Sequence, residues 1–292
     1  MTEIQTLSCG SAARGGRKAF ASGLAQTIFT LLPYAYLGIL LAAAAHEVLG
    51  HGLAAVCVGG QFLSFQLDVA GMGWAQTVLE PGSPAWKQIT VLFGGVAATI
   101  TLGLVLLVIG AKVRKPLVSL LVLAMSLNLL LEGAPYVFWN AVHPVPPGDI
   151  GYILGALALP WLRPLLAMFG GVVMFGAIGG LTVLMFRRLA ALLWPDGQPG
   201  TAQRILVLAL LGLLPALGWF TFDWDALAPG LGCWPNLVGA ATHVVCAGSL
   251  FRVHVRPSPI VTSRRAFVVT ALVGYGVLAG VLAVIMLWLA PA

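Results

Sequence analysis

His46-Glu47-Val48-Leu49-Gly50-His51 stands at the end of a 22-residue apolar run, Leu24 to Ala45, with Gly52-Leu53-Ala54-Ala55-Val56 directly behind it. A run of that length predicts a transmembrane helix. Two imidazoles and a carboxylate beside it are costly, about 2.5–3.5 kcal/mol for a charge at a span centre on insertion scales. Such residues face a protein interior or a water-filled cavity and mark function. A His-Glu pair with a second histidine one turn on is how a helix presents two zinc ligands and a general base.

The spacing is one residue longer than the common HExxH pattern. Histidines at i and i+4 lie about 40° apart around a regular helix, whereas i and i+5 lie about 140° apart. Divergent rings cannot share one metal, so a local π-bulge with i→i+5 hydrogen bonds is expected at Val48–His51. Gly50 is where such a distortion is easiest. The stretch resembles the expanded zinc motif of dipeptidyl peptidase III, His-Glu-x-x-Gly-His, over these six residues alone. The alternative is a pair of structural histidines that bind nothing.

The chain has 292 residues, 60% hydrophobic and 8% charged. That excludes an ordinary soluble domain and predicts an all-α polytopic membrane protein, one membrane domain over 1–292. The 36 glycines suit spans that pack through small residues. Cys9, Cys57, Cys233 and Cys246 have neither metal nor disulfide spacing, and Cys57 is expected to be a small packing residue. A signal peptide is the competing reading of the first apolar run, which is longer than the usual h-region of about 7–15 residues.

About seven spans are expected, near 24–45, 86–110, 116–139, 164–186, 204–222, 234–251 and 266–289. Pro33 should kink the first rather than end it. Gly59-Gly60 should stop the motif helix, and 61–80 reads as a small β-hairpin turning near Gly71-Met72-Gly73. Residues 150–160 are apolar but too short to cross, as in a re-entrant or interfacial helix. Threading these spans puts thirteen of the fifteen Lys and Arg residues on one side, leaving Lys87 and Arg163 on the other. The N-terminus is therefore expected in the cytoplasm, with the motif towards the outer face. The same bias explains the net charge of +6 without a nucleic-acid partner.

A zinc site needs a third protein ligand and, for hydrolysis, a free position for water. Asp149, behind the stiff Pro146-Pro147-Gly148 approach, is the first choice, with capping of the next helix as its structural alternative. Glu132, inside a span, is the second. His143 is the third, and His243 reads as a packing residue.

The set of motifs is similar to the site-2 protease family of intramembrane zinc metalloproteases. The matching pieces are His46, Glu47 and His51, then Gly59-Gly60 with the hairpin, Gly94-Gly95, and Asn140…Pro144…Pro147-Gly148-Asp149. The resemblance implies a metalloprotease-like core over 24–155, with accessory helices over 164–292. It implies Zn2+ as cofactor, Glu47 as catalytic base, and His46, His51 and Asp149 as ligands. Its partners would be the lipid bilayer and a membrane-protein or peptide substrate. Two readings of other classes stay open. One is a non-catalytic metal-binding scaffold. The other is a metal or proton transporter using Glu132 and His243 as relay sites.

Overall fold

The computed structural model describes residues 6–69, 71, 73–142, 148–157, 161–194, 203–207 and 263–289. Five helices in it are long and apolar enough to cross a membrane: Phe20–Cys57, Ala85–Lys112, Pro116–Val142, Leu162–Leu193 and Arg265–Met286. The multi-pass helical architecture read from composition is the one found. The expected spans near 204–222 and 234–251 fall almost wholly outside the described residues, as do His143 and His243.

The first helix is much longer than its apolar run. It begins at Thr6 (α1, Thr6–Ala44), passes through a π-helical segment at Ala45–Gly52, and ends as α2, Leu53–Cys57. Pro33 sits inside α1 without breaking it. A proline cannot donate to the carbonyl four residues back, which here is Phe29. That carbonyl accepts the hydroxyl of Tyr275 at 3.2 Å, from the last helix, α8 (Arg264–Leu289). Tyr34 returns the contact by donating to the Thr270 carbonyl at 2.9 Å. The defect that proline introduces thus becomes the contact between α1 and α8.

Helix α2 stops at a Schellman turn. Gly59 takes φ +81°, the Gly60 N–H donates to the Ala55 carbonyl at 2.8 Å, and the Gly59 N–H to that of Val56. The chain then forms β1 (Gln61–Leu67) and β2 (Gly73–Val78), an antiparallel pair with a register shift between Phe62 and Ser64. Leu67 is buried with Tyr36, Ile39, Leu40 and Ala43 of α1 and Ile285 of α8. Phe62 lies against Gly52, where a Cβ would come 2.9 Å from its ring. The hairpin is therefore seated on the motif helix. Cys57, expected to pack, is exposed instead, at the last residue of α2 just before the Schellman turn.

Helices α3 (Ala85–Lys112) and α4 (Pro116–Val142) form an antiparallel pair through glycine notches. A Cβ on Gly103 or Gly110 would strike Leu130 or Leu123. Ser126 donates to the Gly103 carbonyl and Ser119 to the Gly110 carbonyl, each at 2.7 Å. Asn128 ties α4 to α1 by donating to the Ala35 carbonyl at 3.1 Å, which accounts for that polar residue in a span. Helix α5 (Gly148–Leu157), too short to span, packs against α3 and α4, and behind α4 lies the fourth long helix: α6 (Leu162–Gly171), a second π segment (Val172–Ile178) and α7 (Gly179–Leu193). Arg188 of α7 donates to the Ala111 carbonyl at 3.0 Å. That contact puts the basic residues near 112–115 and 187–188 at one end of the bundle.

Candidate metal centre

The widening expected over Val48–His51 is found, and it is longer, covering all eight residues Ala45–Gly52. The Leu53 N–H donates to the Val48 carbonyl, five residues back. The segment persists because α3 clamps it. Gly50 meets Gly94 and Gly95 backbone to backbone, and a Cβ at Gly50 would lie 2.6 Å from the Gly95 nitrogen and 2.8 Å from the Gly94 carbonyl oxygen. Gly95 also faces the His46 ring, with room there for a hydrogen and nothing larger.

The wider turn brings His46 and His51 together. Their ring centroids lie 4.9 Å apart, edge to face at 71°. Both rings and Glu47 are buried, between 7 and 9% exposed. His51 Nδ1 lies 2.7 Å from the Val91 carbonyl of α3. A carbonyl only accepts, so Nδ1 carries the proton and Nε2 keeps its lone pair for the site, as in metal-ligating histidines. His46 Nδ1 is buried without a protein partner among the described residues.

Asp149 completes the cluster from the first turn of α5. Its Oδ2 lies 3.3 Å from His51 Nε2 and 3.6 Å from His46 Nε2. One ligand atom from each of the three residues fits within 4.8 Å. The edge of a tetrahedron with zinc bond lengths of 2.0–2.2 Å is about 3.3–3.5 Å. The His51–Asp149 separation matches that edge and the His46–Asp149 separation exceeds it by about 0.1 Å, so the donor set suits a divalent metal in chemistry and comes close to it in spacing.

Glu47 points to the hairpin side of the cluster. Gly73 of β2 leaves room for its chain, since a Cβ there would lie 2.9 Å from Glu47 Cγ. Glu132 is half-buried in α4 and does not join the three clustered residues. Asn140 is buried in the last turn of α4, its amide donating to the Tyr136 carbonyl at 2.8 Å. Tyr136, which the sequence reading passed over, reaches the site. Its hydroxyl accepts the Asp149 N–H at 3.0 Å, and its ring stands edge-on to His46 with centroids 6.3 Å apart. An aromatic inside an apolar span carries no sequence signal that separates it from packing residues.

The family model described as Peptidase M50B-like matches residues 20–190, from the first long helix through the end of α7. The chain belongs to the Peptidase M50B-like family. The site-2 protease resemblance read from the motifs is borne out by that match, and every residue of the cluster lies inside it. No curated protein and no solved structure matches the chain. Five apolar helices and membership of a membrane peptidase family make this a multi-pass membrane protein.

The depth of the site follows from α3. Val91 and Gly95 lie about 10–15 Å along a helix about 42 Å long, counted from the end opposite the basic loop at 112–115. This M50B-like chain thus carries its His-Glu-His-Asp cluster inside the bundle, about a third of the way in.

Proposed function

We propose that this protein is an intramembrane zinc metalloendopeptidase that cleaves membrane-associated polypeptides. The observation that carries the reading is the π-helical segment at Ala45–Gly52, which turns an i, i+5 histidine pair onto one side and faces it to Asp149. A π segment stabilised by a glycine-to-glycine helix crossing has little use in a purely structural span, whereas π-bulges recur at functional sites.

His46, His51 and Asp149 would hold the zinc, leaving the fourth position open as in hydrolytic sites. Zinc bound there supplies the Lewis acidity that activates a water and polarises the scissile carbonyl. Glu47 accepts the proton of the attacking water and delivers it to the leaving amine. Its packing against Gly73 keeps the carboxylate on the hairpin side, where a substrate would arrive. Among the described residues strand β2 pairs with β1 alone, so an extended peptide can add along its other edge, which also holds a helical substrate unwound. The distribution of basic residues supports an N-terminus in the cytoplasm and a cluster towards the opposite face.

Glu47→Gln is the test. The variant should retain zinc at the wild-type level and lose hydrolysis of a fluorogenic peptide library by about 10²–10⁴-fold, the range for a general base. A wild-type protein that binds zinc but cleaves no more of the library than Glu47→Gln would favour the metal-binding scaffold.

A further inference from the structure

We infer that Tyr136 is a positioning residue that locks Asp149 to the His46 ring and so sets the affinity of the metal site. The inference rests on the metal-site reading above. The three clustered residues come from two distant stretches, the π segment and the start of α5, and Tyr136 bridges them. Its ring packs edge-on to His46, with an 85° angle between the planes. Its hydroxyl oxygen accepts the backbone N–H of Asp149 at 3.0 Å. That N–H belongs to the first turn of α5 and has no partner within its own helix.

Gly148 shows how close the approach is. It takes φ +64°, a conformation that suits glycine, and a Cβ there would overlap the Tyr136 hydroxyl. The phenol thus occupies the space a side chain at position 148 would fill, directly before the carboxylate ligand. The following residue, Ile150, is fully buried and anchors the other side. Asp149 is therefore held between a buried side chain and a hydroxyl, so its carboxylate does not have to find the histidines by loop motion. Partners that hydrogen-bond a ligating residue and fix its position change metal affinity about 10–100-fold when removed.

The test compares wild type with Tyr136→Phe and Gly148→Ala, each stripped of metal in detergent and titrated with zinc against a chromophoric chelator. Unfolding of the metal-free proteins is followed in parallel. Tyr136→Phe should weaken zinc binding about 10–100-fold, while the unfolding midpoint of the metal-free protein moves by no more than the loss of one interhelical hydrogen bond. Gly148→Ala should weaken it in the same sense. The double variant should bind no worse than Gly148→Ala alone, because both act through one contact. Cobalt-loaded Tyr136→Phe should show an altered d–d spectrum. Equal zinc affinity in wild type and Tyr136→Phe, or a lowered midpoint with unchanged affinity, overturns this inference and leaves the metal reading standing. A wild type that binds no zinc overturns the metal reading and the inference with it.

Discussion

Gly95→Ala isolates the helix crossing that shapes the site. A Cβ at position 95 would lie 2.5 Å from Cδ2 and 2.8 Å from Cε1 of His46. Nε2 of the same ring would be closer still, and ordinary contact begins at 3.4 Å, so the ring or the backbone must give by more than 0.9 Å. The backbone has little room, because Gly50 already touches the α3 backbone one turn away. The imidazole therefore moves. Zinc–nitrogen bonds tolerate departures of about 0.2 Å from 2.0–2.1 Å, so the shift is more than four times what coordination accepts. We expect zinc affinity to fall at least about 100-fold, and any peptidase activity by a similar factor, since a misplacement of about 1 Å costs on that order. The overpacking itself should destabilise the fold by about 1–3 kcal/mol. Gly180→Ala is the control, as a Cβ there meets nothing within 4 Å. Zinc titration and detergent unfolding of both variants give the answer. A Gly95→Ala protein that is destabilised yet binds zinc like wild type would refute the reasoning, because His46 could then not be where the metal sits.

Two more outcomes follow from the fold. Tyr275→Phe strands the carbonyl that Pro33 leaves unpaired, so α8 should loosen from α1 by about 0.6 kcal/mol and no more than about 1.7 kcal/mol, the range for hydrogen bonds between membrane helices. Unfolding in mixed micelles reads this, and the effect should vanish in a Pro33→Ala background, where residue 33 can donate to the Phe29 carbonyl itself. Ser83→Cys, made after replacing the four native cysteines with alanine, tests the orientation. An impermeant thiol reagent added outside intact cells should label it, and labelling only after the membrane is opened would place the cluster on the cytoplasmic face.

Much of the site was legible because its chemistry is local. The i, i+5 spacing of His46 and His51 forces a distorted helix if the rings are to meet, and Gly50 marks where. The length of the distortion was not legible, because it is set by Gly94 and Gly95, more than forty positions away, pressing on the segment. Asp149 stood out by its charge in an apolar chain and its stiff approach. Glu132 stood out for the same reason and lies apart from the cluster. Sequence alone offers no way to tell which acid a folded helix turns inward. Tyr136 was invisible, since its role depends on the placement of α5 against α4 and on the empty side of Gly148. The extension of α1 back to Thr6 was missed because residues 6–19 are polar and small, and hydropathy reports where lipid is, not where a helix starts.

On the proposed reading, His46, His51 and Asp149 together hold one zinc ion. The direct measurement is the metal content of purified wild type, His46→Ala, Asp149→Ala and Glu132→Ala, taken by mass spectrometry after removal of loosely bound ions. Wild type and Glu132→Ala should each carry about one equivalent of zinc, while His46→Ala and Asp149→Ala carry almost none, as expected when a three-ligand site loses a ligand. Zinc retained by His46→Ala, or lost from Glu132→Ala and kept by Asp149→Ala, would contradict the assignment.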